Sequence, residues 1–341
     1  MRFDLTDEQK MLRSMVLDFG RKAFDNHALA AVSDDPAAPA RTKGWAELHE
    51  LGLTALSVPE EHGGAGGSVT DLCVVAEALG EAIAPLPYVA SAVAAPRLLA
   101  ALGATQELSE ISEGAVFTPL VGRDLSWPNA QLTLGFDWLP GARGVAATGD
   151  TATIVELGDL PEVVPTFDPL HPIVLLGEPL DAVADDREEL RRARAAVRVA
   201  QAAFALGLAA QALDVAVEYA KEREQYGRPI GTFQAVQHMC ADMLVDVEST
   251  RSMVYGASWA VDHAALDTAE RQAAAALTWA GDAAVRTCEQ SIQVLGGIGV
   301  TLEHTAHRRL RSAHLFADVF GGTRSATDDL ADLRFGIAGE K

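Results

Sequence analysis

Cysteine is scarce in this chain: Cys73, Cys240 and Cys288 stand far apart, with no CxxC pair and no Cys/His ligand spacing. That excludes a disulfide framework and a zinc ribbon, and an odd, scattered set points to a reducing compartment, so a cytoplasmic protein without a metal is expected. Positive charge is also short. Against 48 Asp and Glu there are 27 Lys and Arg, a formal net charge of −21, which argues against a phosphate backbone or an anionic membrane as the main partner. No apolar run reads as the roughly 20 residues of a membrane span, and the N-terminal Met1 to Gln9 is polar and acidic. Glycines crowd between Gly63 and Gly67, but no Lys-Ser/Thr pair follows them. They read as a turn linking helices and not as a phosphate loop.

What is present is an ordinary globular composition, 49% hydrophobic and 22% charged, over 341 residues, enough for two or three domains with real cores. Thr6 ahead of Asp7-Glu8-Gln9 is an N-cap with an acidic first turn, and Met11, Val16, Phe19 and Phe24 follow at helical intervals. A second short helix is expected from Trp45 to Leu51, ended by Gly52. Leu53 to Pro59 reads as extended, since the residue before a proline avoids the α region. Val69 to Leu79 is helical again until Pro85 and Pro87.

From about Ala115 to Leu180, turn residues separate short β-branched runs such as Thr151 to Val155 and Ile173 to Leu176. From Asp185 the chain is alanine-rich and helical, with Leu206, Ala210, Leu213, Val217 and Ala220 on one stripe and Phe233, Val236, Cys240, Met243 and Val247 on another. The expected fold is mainly α with a small β domain: a helical segment 1–112, a β segment 113–183 and a helical bundle 184–341.

An acidic chain that handles an anionic nucleotide must gather its cations locally. Arg223 ends a helix before a Tyr226-Gly227-Arg228-Pro229 turn; its fork suits a pyrophosphate, and equally it suits the helix's own last carbonyls. Gly296-Gly297-Ile298-Gly299 after a long helix is either a C-cap and turn or a surface on which a flat ligand lies. Arg187, Arg191, Arg194 and Arg198 recur at spacings of three and four, a basic stripe that is either solvated and salt-bridged or a cation source. Arg308, Arg309 and Arg311 read as structural. The nine histidines form no nucleophile motif, and the His304/His307 pair lacks further metal ligands.

Arg223-Glu224-Gln225-Tyr226-Gly227, Phe233-Gln234, Gln293-Val294-Leu295-Gly296-Gly297 and Val319-Phe320-Gly321-Gly322-Thr323 occur in this order, with Val58-Pro59-Glu60-Glu61-His62-Gly63-Gly64 near the N-terminus. Together they resemble the acyl-CoA dehydrogenase family over most of the chain. The resemblance implies an N-terminal helical domain, a reduced middle β-barrel and a C-terminal four-helix bundle, with FAD as cofactor, an acyl-CoA thioester as substrate and α,β-dehydrogenation as reaction. It further implies that Arg223, Tyr226, Gln234 and Gln293, with backbone access at Gly297, contact the ADP half of an FAD held mainly by a neighbouring subunit, and that Arg198 lies beside the acyl pocket.

The departures are as informative. The family's proton-abstracting Glu stands at the position of Gly321, or in a second group at that of Val197, and neither residue accepts a proton. The flavin-wrapping Thr-Glu-Pro-x-Ala-Gly-Ser loop and Trp-Ile-Thr/Ser strand are absent; Thr118-Pro119-Leu120, Trp127 and Trp138 read as packing residues. No catalytic residue is therefore expected. The chain reads as the base-lacking partner of a full-length, Glu-bearing subunit, in an α2β2 assembly of the kind that acts on steroid side-chain CoA thioesters, and as inactive alone. Two other readings stay open: a self-sufficient homodimer using an unusual base such as Asp318, and a non-catalytic scaffold.

Overall fold

Thr6 begins the first helix as its spacing foretells. Its hydroxyl accepts from the Gln9 N–H while the Gln9 side chain accepts from the Thr6 N–H, a closed capping box. The computed structural model describes residues 4–127, 131–158, 160–181 and 187–335. The expected boundary at 183/184, the start of the bundle at Asp185 and the terminal Met1 to Phe3 lie outside those residues. The N-terminal helices are α1 (Asp7–Ala23), α2 (Asn26–Asp34), α3 (Pro39–Glu50), α4 (Val69–Glu81), α5 (Ala95–Ala101) and α6 (Thr105–Ser112), with a buried π-helical turn at Tyr88–Ala94 leading into α5.

Two local expectations are corrected here. The second helix begins at Pro39, where proline's missing N–H costs nothing, and α2 precedes it. Leu53 to Pro59 is not extended. It folds into successive turns, with Leu56 N–H donating to the Leu53 carbonyl and Val58 N–H to that of Ala55. The glycine-rich segment wraps this coil: Gly66 and Gly67 donate to the carbonyls of Val58 and Leu56, and a β-carbon on Gly64 or Gly67 would strike Val58 or Leu56. Close backbone packing is why those glycines are there.

Six strands follow: β1 (Phe117–Gly122), β2 (Gln131–Phe136), β3 (Arg143–Thr148), β4 (Thr151–Glu156), β5 (Val163–Val164) and β6 (Ile173–Asp181). They form one sheet in the order β4-β3-β1-β2-β6-β5, antiparallel except for the β1/β3 pair. The bundle consists of α7 (Glu188–Glu222), α8 (Gln234–His263), α9 (Leu266–Leu295), α10 (Ala306–Asp318) and α11 (Gly322–Phe335), with a two-stranded hairpin, β7 (Glu224–Gln225) and β8 (Arg228–Pro229), between α7 and α8.

Helix α7 is the axis of the molecule. Contrary to the sequence reading, it contains a stretch long and apolar enough to cross a membrane, but 83% of that stretch is buried by other elements. It is a core helix, apolar on all sides because it is surrounded. Its alanines and Gly207 let α4 approach closely: a β-carbon on Gly207 would meet the Glu77 carbonyl, and one on Gly80 the Phe204 carbonyl.

A buried polar network ties the three parts together. The Arg41 guanidinium, fully buried on α3, donates to the Pro85 carbonyl (2.7 Å), to the Trp138 carbonyl (2.6 Å) and to the Asp137 carboxylate (2.6 Å). The second Asp137 oxygen meets His171 Nδ1 at 2.8 Å, and Asp168 accepts from the α10 residue Ser312 at 2.6 Å. Burial alone pulls the His171 pKa down, but Asp137 and then Asp168 raise it above the ordinary histidine value, so the fold favours the imidazolium. Because the folded pKa lies above the unfolded one, this stabilisation is whole below pH ~6.5 and lost as pH rises through the folded value. Thermal denaturation is expected to show a melting temperature falling from about pH 6 to about pH 9, a slope absent in His171→Gln. Arg41→Met, which strands a buried carboxylate, should cost about 3–5 kcal/mol in urea titration.

Candidate FAD-contact edge and the vacated base position

The C-terminal ends of α7 and α9 lie side by side. Between them opens a cleft of about 550 Å³ lined by Tyr219, Arg223, Gln225, Ile230, Val294, Leu295, Gly296, Gly297 and Ile298. Arg223 and Gly297, 74 positions apart in the sequence, are thereby brought together. Arg223 is exposed and its guanidinium has no partner among the described residues. Gly296, at φ +63°, closes α9, which accounts for one glycine by geometry alone. Gly297 is different: its φ is ordinary and a β-carbon there would meet nothing within 4 Å, so no contact within the chain calls for glycine. Gln225 and Tyr219 also line this cleft and had not been singled out; their places in the hairpin and one turn before Arg223 were the available signal.

Three other expected residues are not among those lining the cleft. Gln293 is exposed on the last turn of α9, one turn before Gly297. Gln234 is exposed as the first residue of α8, a helix that starts without a side-chain cap. Tyr226 sits at the hairpin tip, 93% exposed, its backbone left-handed at φ +56° beside Gly227 at +76°. Two consecutive positive φ values make the tight turn whose twist suits a two-residue hairpin.

Against the middle of α9, where Gly281 meets Ala317 and Thr323, the expected base position is a structural joint. Phe320, Gly321 and Gly322 have φ of +56°, +83° and +52°, forming the bend between α10 and α11. Gly321 N–H donates to the Leu125 carbonyl in the β1–β2 connection at 3.1 Å. Gln201, fully buried on α7, donates to the carbonyls of Phe316 (2.5 Å) and Val319 (2.9 Å) and so fixes the bend from below. A β-carbon on Gly321 would lie 2.9 Å from the Ser325 Cβ. The backbone thus disfavours any side chain here. Val197 is buried among apolar neighbours on α7, so the alternative base position is equally inert.

Aromatic rings fill the seam between the sheet and the bundle at this joint. Phe320 packs against Trp127 (centroids 5.6 Å apart) and Phe136 (5.4 Å), Phe136 against Phe316 (6.3 Å), and Phe316 stacks on Phe204 (4.2 Å) beside His171. Trp138 is buried as well.

The basic stripe is drawn inward. Arg191 forks onto Glu270 of α9 (2.9 and 2.5 Å), and Arg198 bonds Asp329 of α11 and the Ser325 hydroxyl (3.2 Å). Both line a polar cleft of about 290 Å³ with Arg194, Asp329 and Asp332. Arg308 and Arg309 are buried in α10, and burial lowers the Arg309 pKa to about 10. His304 accepts from the Ala306 N–H at the start of that helix, a structural role. Among the described residues no cluster of metal-ligating side chains exists, and Cys73, Cys240 and Cys288 are free thiols. Asp318, the last residue of α10, faces a separate cleft of about 410 Å³ with Leu125, Phe167, Ile173 and His314.

Comparison with known proteins gives this arrangement its class. Residues 6–109 match the acyl-CoA dehydrogenase N-terminal domain and residues 192–330 the acyl-CoA dehydrogenase C-terminal domain. The chain is 30% identical to acyl-CoA dehydrogenase IpdE2 of Mycolicibacterium smegmatis, over 94% of this chain and 96% of that one. It is 36% identical to acyl-CoA dehydrogenase FadE34 of Mycobacterium tuberculosis over 94% of its own length, but spans only 47% of that relative. Among solved structures, the ChsE4-ChsE5 complex from Mycobacterium tuberculosis superposes with a TM-score of 0.79 at 26% identity and full coverage of both chains. A Tcur3481-Tcur3483 steroid ACAD variant gives 0.80 at 27% identity, covering 98% of this chain and 99% of that one. The chain belongs to the acyl-CoA dehydrogenase family, whose cofactor is FAD.

Gly321→Glu tests whether the joint is the reason the base is gone. A left-handed backbone costs a residue bearing a β-carbon about 1–2 kcal/mol, and the Ser325 contact adds to it. The purified variant is expected to melt lower and to show no dye-linked acyl-CoA oxidation; turnover would show that the site lacks only its carboxylate.

Proposed function

We propose that this chain is the base-lacking subunit of a heteromeric acyl-CoA dehydrogenase, and that it lends the ADP-contacting edge of an FAD site to a Glu-bearing partner. The observation that carries this is the separation of the two halves of the expected site. The cleft holding Arg223 and Gly297 is lined by bundle residues, none from the sheet. The place where the base would stand is a bend whose neighbour Phe320 packs against Phe136 and Trp127. Arg223 offers an unpaired fork to a pyrophosphate, α8 opens at Gln234 with first-turn N–H groups left for an external acceptor, and Gly297 allows close approach. These residues fit one end of FAD. The seam residues do not fit the other.

When bound, FAD accepts the hydride removed from the acyl chain, and the thioester's α-proton goes to a carboxylate that in this reading belongs to the partner. This chain binds and orients: Arg223 neutralises pyrophosphate charge, and the surface at Gly296-Gly297 sets the distance. Two structural relatives, ChsE4-ChsE5 and the steroid ACAD Tcur3481-Tcur3483, are pairs of proteins. They support a partner subunit and a steroid-derived substrate; the α2β2 form and a bulky steroid side-chain CoA thioester are part of the proposal. FadE34, about twice as long as the segment matched here, has room for a partner-like half within one chain.

Purified alone, the chain is expected to carry no flavin and to turn over no acyl-CoA; purified by a tag on this chain from its source, the complex should carry both flavin and activity. In that complex Arg223→Ala should weaken FAD retention at least about tenfold, the worth of a charge-assisted hydrogen bond. Gly297→Ala should weaken it with an unchanged melting temperature. Full flavin occupancy and turnover by the isolated chain would overturn the reading.

Asp318 supports a second reading, a self-sufficient enzyme with a displaced base, because its carboxylate faces a cleft with apolar walls. It predicts that Asp318→Asn abolishes activity in the isolated chain; on the reading preferred here Asp318→Asn leaves the activity of the complex unchanged.

A further inference from the structure

Tyr226 poses a physical question that its exposure does not answer. A tyrosine held left-handed pays for a conformation that glycine or asparagine adopts freely, and 93% of this one faces solvent. The two-residue turn accounts for that backbone, but it does not fix where the ring lies. The hairpin's four strand residues supply only the register of Glu224 with Pro229 and Gln225 with Arg228. The remaining restraint is Phe233, at the start of α8. The Tyr226 ring meets it edge-on at 6.1 Å, and the Arg228 guanidinium lies over its face, 4.3 Å from the centroid. Arg228 has no carboxylate partner and no side-chain hydrogen bond among the described residues, so this stacking is its one specific contact. The base of the hairpin is pinned by Ile230 N–H on the Arg223 carbonyl at 2.8 Å. Arg223 and the hairpin therefore move as one piece.

We propose that Arg228 is a positioning residue for the FAD edge: by stacking on Phe233 it fixes the ring against which Tyr226 rests, and so presents Tyr226 and Arg223 in a pre-formed geometry. This rests on the reading that the edge receives the ADP moiety. Arg228 acts through Phe233 and not on the ligand itself. Ordering the hairpin before binding removes an entropy cost from binding, which is how a contact remote from the ligand raises affinity. An exposed cation–π pair is a modest interaction, so removal of Arg228 should weaken FAD retention about two- to fivefold.

Two measurements test it. With tyrosines selectively labelled in the isolated chain, Tyr226 is one of only four resonance sets; its ring shifts should differ from random coil, collapse towards random coil in Arg228→Ala, and recover in part in Arg228→Lys, at an unchanged melting temperature. A collapse absent in Arg228→Ala overturns the proposal. In the tagged complex, FAD dissociation is measured for Arg228→Ala, Phe233→Leu and the double variant. Action through Phe233 makes the double variant no worse than the more damaging single one. Additive losses mean that Arg228 touches the cofactor directly, and they overturn the positioning role. Tyr226→Ala and Arg223→Ala serve as controls. If neither weakens retention, the function proposed for the edge fails; if both do while Arg228→Ala is silent, only the positioning role fails.

Discussion

A guanidinium with no exposed surface must have its donors satisfied wherever the fold puts it, and Arg41 satisfies them in two parts of the molecule at once. Pro85 belongs to the N-terminal helices and Asp137 and Trp138 to the turn after β2. Through Asp137 the charge reaches His171, and Asp168, which helps hold the imidazolium, is bonded to Ser312 of the bundle. Each member is costly alone and acceptable together, so the sheet cannot shift against either helical part without leaving a buried charge unpaired. Asp137 makes both contacts from a left-handed backbone, φ +58°. The closed aromatic seam follows from that clamp. Phe136 lies next to Asp137, and Phe316 lies four residues after Ser312; once the polar pairs are fixed, the rings are fixed too.

Local rules made the beginnings and ends of helices legible. The Thr6 box, the stop at Gly52 and the turn at Gly296 follow from side-chain oxygens and positive φ, properties of a few adjacent residues. The stripes on α7 and α8 were legible for the same reason. Leu53 to Pro59 was misread because the rule about prolines speaks only for Val58, while the turn is imposed by the glycine strand wrapping it. The apolar length of α7 escaped because it is broken up by alanine, which counts little towards a run read by eye. Arg41 and Asp137 are 96 residues apart, and Ser312 and Asp168 are 144 apart. No periodicity announces such pairs.

The site divides in the same way. Arg223, Tyr226, Gln234 and Gln293 were singled out because a family pattern carries them, and the structure groups Arg223 with Gly297 at one cleft whose lining does not include the other three. Gln201 was invisible: a glutamine in an alanine-rich helix carries no signal until the carbonyls of Phe316 and Val319 turn towards it. The missing base was visible as a letter. That the backbone is bent so that only glycine suits position 321 was not.

That bend has an energetic logic. A chain shaped around a flavin ring and an acyl chain carries a large cavity until both are bound, and an unfilled apolar cavity costs on the order of 24 cal/mol per Å³. Phe320, Trp127 and Phe136 occupy the seam instead, which makes this chain's stability independent of any ligand there. A side chain at position 321 would start from a left-handed backbone and press on Ser325, whose hydroxyl accepts from Arg198 and so helps hold α11 against α7. The base position and the seam therefore meet at adjacent residues, with Phe320 packed against the rings and Gly321 making the bend. The outward edge at Arg223 bears no such constraint, and it keeps an unpaired cation in a protein that is otherwise strongly acidic.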